Sequence, residues 1–105
     1  MQDNLALDVY LRGMYHWMMN NLAKGNVSEG LNVTTGALRD RYEVPLTNLG
    51  SNLSTIVPQL GTIVGGRVFG NIAEYTVERT EGSDTVAVKI YFQRFGDGEW
   101  KLSDM

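Results

Sequence analysis

The hydrophobic residues of this chain change their spacing near residue 62, and that change limits the fold more than any other feature. Ahead of it, Leu7, Leu11, Met14, Met18 and Leu22 step by four, three, four and four residues. These steps keep side chains on one face of a helix, so a helix is expected from about Leu5 to Ala23. Asp3 or Asn4 is placed to cap it, and Lys24-Gly25 closes it with a cation and a residue that tolerates left-handed backbone. Tyr10 and Trp17 form a neighbouring stripe expected to widen the apolar face. Beyond Gly61 the period is two. In Ile72 to Thr80, Ala73, Tyr75 and Val77 alternate with Glu74, Thr76 and Glu78. In Thr85 to Phe95, Val86, Val88, Ile90 and Phe92 alternate with Ala87, Lys89, Tyr91, Gln93 and Phe95.

Between the first helix and the strands the pieces are short. Asn26 stands where it can cap Val27 to Val33, with Glu29 in the third helical place to complete a capping box. Thr34 or Thr35 can cap a further helix through Leu38, Tyr42 and Leu46, which Pro45 is expected to kink or divide. Gly50-Ser51-Asn52 reads as a turn into a last short helix, Leu53 to Leu60. Thr62 to Phe69 reads as a first strand, with Gly65-Gly66 marking a bulge. Gly70-Asn71, Glu81 to Asp84 and Gly96-Asp97-Gly98 supply the turns of a meander that ends in Glu99 to Ser103. Helices over 3–60 followed by four antiparallel strands over 62–104 make a single α+β domain, 1–105. Its helices are expected in the concave face of a curved sheet, leaving a cone with an interior.

Composition removes several function classes. The 105 residues hold twelve acidic and nine basic side chains, a formal net charge of -3, which lacks the basic face that nucleic acid demands. No cysteine is present, so thiolate metal sites, cysteine nucleophiles and disulfides are excluded together, and one histidine excludes paired-histidine metal sites. No cofactor is expected. No segment approaches the roughly 20 apolar residues of a membrane span. Residues 1–24 lack the basic start and unbroken apolar centre of a secretion signal, so the chain is expected to begin as a mature domain whose compartment is not written in it.

Three features resemble the nuclear transport factor 2-like superfamily of cystatin-like α+β cones. They are a long helix running into Ala23-Lys24-Gly25-Asn26, a helix with Arg39-Asp40-Arg41-Tyr42, and a terminal hairpin joining Lys89-Ile90-Tyr91-Phe92 to Asp97-Gly98-Glu99-Trp100-Lys101-Leu102. The closest similarity is to small bacterial domains, often exported, in which a stretch like Leu49-Gly50-Ser51-Asn52-Leu53 precedes strands like Ile72-Ala73-Glu74-Tyr75. The resemblance implies helices packed into a curved sheet, and frequent dimerisation through that sheet. It also implies either a binding and assembly role or isomerase- and cyclase-like chemistry with an Asp general base in the cone. No such Asp aligns here, because Glu74 and Glu78 fall on the face opposite Tyr75 and Val77.

The candidate residues each carry two readings. His16 titrates nearest neutrality and would serve as a general base if Asp40 or Tyr42 oriented it; without a positioned partner it is a boundary histidine. Tyr10, Met14, Tyr15, Trp17, Met18 and Met19 either line a hydrophobic ligand cavity or pack as core beneath the sheet. Arg39 and Arg41 either grip an anion or pair with Asp40 and Glu43 on a solvated helix face. Gly61, Gly65, Gly66 and Gly70 do not have the spacing of a phosphate loop. The pocket set is therefore Tyr15, His16, Trp17, Tyr42 and Tyr75, with a small hydrophobic ligand as its partner. The second face of the long strand, Lys89, Tyr91, Gln93 and Phe95, has the aromatic character of a homodimer interface. The function expected is a non-catalytic binding or assembly module. The alternative is a small-molecule carrier or an enzyme using the cone.

Overall fold

The computed structural model describes residues 2–105, with side chains from Leu5 onward, and gives the helices-then-meander order expected from the sequence. Helix α1 spans Gln2–Ala23, so Asp3 and Asn4 already lie inside it, and their side chains fall outside the described residues. It ends as expected at Gly25, whose φ of 86° is left-handed. Helix α2, Val27–Gly30, continues into a tight turn at Leu31–Val33. The capping box does not form: the Asn26 side chain makes no cap bond, and its amide instead faces Asn21 Oδ1 at 3.5 Å. Thr35 does cap helix α3, Gly36–Leu49, by accepting from the Leu38 amide at 3.3 Å. Pro45 does not divide that helix. The bond it removes belongs to the carbonyl of Arg41, an exposed residue that water can serve. Helix α4, Leu53–Ile56, and the turn Val57–Leu60 then lead into the sheet.

Strands β1 (Thr62–Phe69), β2 (Ile72–Glu81), β3 (Asp84–Arg94) and β4 (Trp100–Asp104) pair antiparallel in chain order. The register slips once between Ile63 and Gly65, where the glycine pair marked a bulge, and again between Tyr91 and Phe92. Each irregularity bends its strand. Past β4 the edge is covered, because the Thr35 amide donates to Leu102 O at 2.9 Å and Thr34 forms a parallel bridge to the same residue.

All helices lie on one face of this sheet, and the core is what that face and α1 bury together. Leu11, Met14, Tyr15, Met18 and Leu22 of α1 meet Ala73, Tyr75 and Val77 of β2, Ile90 and Phe92 of β3, and Trp100 and Leu102 of β4. The stripe widened by Tyr10 and Trp17 is a correction. These residues are 55% and 42% exposed, on the outward side of α1 with Leu5 and Val9. At about 100° per residue they fall well away from the direction shared by Leu11, Met18 and Leu22, so an apolar identity alone does not bring them inward.

Tyr75 sets the closest approach in the sheet. Its ring meets Phe92 edge to face at 5.8 Å and lies across Gly66, its register partner on β1. A side chain at Gly66 would overlap the Tyr75 ring and stand 2.7 Å from Glu74 O, whereas Gly65 next to it has open space. Gly66→Ala is expected to cost about 1–3 kcal/mol of stability as an overpacked site. Gly65→Ala should stay within about 0.5 kcal/mol. Urea unfolding of the two variants checks this, and equal stabilities would remove the contact assigned to Tyr75.

Candidate functional site

Between the inner sheet face and helices α1, α3 and α4 an apolar cavity of about 420 Å³ remains. Its walls are Leu22 from α1, Leu46 from α3, Ile56 from α4, and Val77 and Ile90 from the sheet. The cavity exists because the short helical pieces cannot cover the strands as a long helix does. The walls are apolar because both periodicities point their hydrophobic residues here.

Two tyrosines stand in the cavity wall. Tyr42 donates to Met105 O at 2.7 Å, tying α3 to the end of the chain. Tyr15 reaches Gly61 O only at 3.5 Å, the outer limit of a hydrogen bond, so its hydroxyl is loosely held. Burial raises the Tyr15 pKa from 10.0 to about 12, because the phenolate would leave water, and the charge of Arg79 opposes the rise. Arg79 is the one charged side chain lining this cavity among the described residues. It continues the inward series Ala73, Tyr75 and Val77 on β2 and packs against Gly61, where an added Cβ would stand 2.9 Å from its own.

The expected pocket set is only partly brought together. Tyr15 and Tyr42 share the cavity. His16 is exposed and lines, with Tyr15 and Arg12, a neighbouring groove of about 520 Å³ between α1, the Val57–Leu60 turn and β1. Trp17 lies on the outward side of α1, and Tyr75 lines neither cavity. Tyr75 is instead fully buried and donates to Asp8 Oδ1 at 2.7 Å, while Arg12 holds the same carboxylate through Nε at 3.0 Å. Burial first, and then the bond to and charge of Asp8, push the Tyr75 phenol far above its ordinary value. Sequence reasoning missed Asp8 and Arg79. Their signals were an Asp–Arg pair at helical spacing beside the apolar stripe, and a cation prolonging an apolar alternation.

On the opposite sheet face, Lys89, Tyr91 and Gln93 lie as expected on the side away from the helices, and Phe95 follows the end of β3. Glu74 stands between them. It accepts from Tyr91 Oη at 3.1 Å, lies 3.6 Å from Lys89 Nζ and 3.7 Å from Arg67 Nε, and raises the Tyr91 pKa chiefly through the hydrogen bond. Phe69 and Ile72, paired across β1 and β2, are exposed together at one end of this face. Arg39 is committed within the chain, to Asn32 Oδ1 at 2.7 Å, Ser28 O at 2.9 Å and Glu43 at 3.3 Å, and Arg41 pairs with Asp104 at 3.4 Å. A depression of about 560 Å³ near Lys24, Ser28 and Ser51 is lined by exposed serines and glycines together with Val27 and Leu53, and no carboxylate or imidazole of the described residues lines it. Among the described residues no group of three or more His, Cys, Asp or Glu side chains could hold a metal ion. Among the described residues, no helix is long and apolar enough to cross a membrane.

Comparisons of this chain with protein-family models, with curated proteins and with solved structures find no match.

The two buried phenols give a pH dependence of defined sign. Both ionise near 10.0 in the unfolded chain but stay neutral to about 12 or beyond in the fold. The stability they contribute is thus present below pH 10 and is lost as the pH rises toward the folded-state values. Urea unfolding between pH 8 and pH 11 measures the decline. Tyr15→Phe and Tyr75→Phe should each make it shallower, and a slope unchanged in both would contradict the burial assigned to these hydroxyls.

Proposed function

We propose that this protein is a non-catalytic binding module that holds a small hydrophobic molecule in the cavity between its helices and its sheet. The observation that carries the reading is the cavity itself. It is an apolar space of about 420 Å³, within the range of small-molecule sites, and among the described residues no carboxylate or imidazole side chain lines it. Acid–base chemistry needs such groups within reach of a bound substrate. His16 is exposed beside the neighbouring groove, and the Asp8 carboxylate is taken by Tyr75 and Arg12. The isomerase- or cyclase-like alternative therefore has the weaker support. The α+β architecture agrees with the resemblance to nuclear transport factor 2-like domains, and membership of that superfamily is part of the proposal, as is an exported bacterial origin.

The test is a fluorescence titration with the neutral probe N-phenyl-1-naphthylamine, followed by thermal unfolding at saturation. A ligand selective for the folded state raises Tm by mass action. Saturable binding of one probe per chain with a raised Tm is expected. Val88→Trp, placed on the half-buried cavity wall, should abolish binding while the far-UV spectrum stays unchanged. Absence of saturable binding to the parent protein at high micromolar concentration would overturn the reading.

A second reading, association of two copies through the outer sheet face, is favoured by one observation. Phe69 and Ile72 are 48% and 40% exposed opposite each other, and Phe95, 38% exposed, follows the end of β3 beside Gln93, the register partner of Ile72. Exposed aromatic and aliphatic residues grouped in this way are typical of a contact surface. Light scattering is expected to report a dimer at high micromolar concentration that Ile72→Lys dissociates and Val9→Lys, on the outward side of α1, leaves intact. A strict monomer, or the reverse pattern of the two variants, would remove this interface.

A further inference from the structure

We infer that the cavity ligand is an amphipathic carboxylate, an acid with a hydrocarbon body whose head group is held by Arg79 and Tyr15 at the cavity wall. The inference rests on the cavity being a ligand site and adds the chemical class of the ligand.

Ala73, Tyr75 and Val77 point toward the helices and are buried, and the next residue on the same face is Arg79. A strand with one covered face ordinarily continues that face with an apolar side chain, because a guanidinium taken from water needs partners. Arg79 nevertheless remains on the inward side and lines the cavity, with its side chain 32% exposed. Its stem packs against Gly61.

The donors of this guanidinium are unequally used. Nε lies 2.9 Å from Glu81 Oε2, and neither terminal nitrogen enters any side-chain hydrogen bond found among the described residues. Arginine presents its donors as a planar fork suited to two carboxylate oxygens. The Glu81 side chain is 54% exposed, so the existing pair is a surface pair of small worth and is readily exchanged for, or joined by, a second carboxylate. Tyr15 supplies another donor close by. Its hydroxyl is loosely bonded at 3.5 Å, and it shares the cavity lining with Arg79.

Apart from Tyr42 and the backbone of Met105, the remainder of the lining contributes apolar surface. Tyr42, the other hydroxyl, is already committed at 2.7 Å to Met105 O. One cationic donor, Arg79, and one hydroxyl, Tyr15, therefore stand in a lining to which Leu22, Leu46, Ile56 and Ile90 give hydrocarbon surface. A neutral hydrocarbon would fill the space and leave the fork unused. A cationic amphiphile would meet like charge. An acid of medium chain length satisfies both parts.

The experiment compares decanoate with decan-1-ol, which share a hydrocarbon body, by calorimetric titration at pH 7.5. Decanoate should bind the parent protein about tenfold more tightly than the alcohol, as a charge-assisted hydrogen bond provides. Arg79→Met keeps an apolar stem and removes the fork. It should bring decanoate down to the affinity of the alcohol while changing the alcohol by less than about twofold. Glu81→Gln, an exposed change, should tighten decanoate alone by releasing Arg79 from its competitor. Added salt should weaken decanoate and spare the alcohol. If the alcohol binds and the acid gains nothing from Arg79, the head-group assignment is overturned while the cavity reading stands. If neither compound binds, both are overturned.

Discussion

Tyr75 lies across a glycine on one strand and reaches a carboxylate on the first helix, and the position of everything on the inner face depends on that reach. The ring is fully buried against Gly66 and Phe92, so its hydroxyl has no access to bulk water and requires a partner. Asp8 supplies it at 2.7 Å, with Arg12 closing the other side of the carboxylate and placing its guanidinium 5.5 Å over the same ring. A hydrogen bond to a charged acceptor is among the stronger ones, about 1.5–3 kcal/mol. It is made here between segments 67 residues apart in sequence. Non-directional packing would allow α1 to slide along the sheet, whereas this contact fixes both its rotation and its height. With α1 so held, Tyr15 turns toward Gly61 and Arg79, and Leu22 toward the cavity.

The cavity follows from what the other helical pieces are unable to cover. Helices α2 and α4 have one turn each, and α3 is tied to the far edge of the sheet through Arg41–Asp104 and Tyr42–Met105. Such pieces close a rim but do not fill a centre. The interior they leave is hydrophobic because the same alternation that builds the sheet supplies its wall. The single cation there falls where the alternation runs past the helices. That residue, Arg79, lines the cavity with its stem beside Gly61 and its Nε on Glu81.

Much of this architecture was legible in the sequence. The period change at residue 62 marks the boundary between layers, Gly65-Gly66 marks the bulge, and the turn glycines mark the meander. These signals are local, so no tertiary information is needed to read them. Other features depend on what meets what. Tyr10 and Trp17 look like core by identity, but their angular position on α1 turns them outward. Asn26 has the composition of a cap, yet its amide faces Asn21. Pro45 carries a local penalty that an exposed acceptor absorbs. Of the residues expected in the pocket, Tyr15 and Tyr42 stand in the cavity wall, because both lie on helix faces turned toward the sheet. Identity alone says nothing about direction for His16, and the structure places it, exposed, in the wall of the neighbouring groove rather than in the cavity. Asp8 and Arg79 were missed because a charged residue becomes informative only when its neighbours show that it faces inward.

The central claim places a ligand between the helices and the inner sheet face. Nuclear magnetic resonance on methyl-labelled protein with carbon-13 decanoate measures this directly, through intermolecular contacts between the acyl chain and assigned methyl groups. Contacts from the chain to Leu22, Leu46, Val77 and Ile90 are the predicted result. Contacts confined to Leu5 and Val9 on the outward side of α1, or to Ile72 on the outer sheet face, would contradict it.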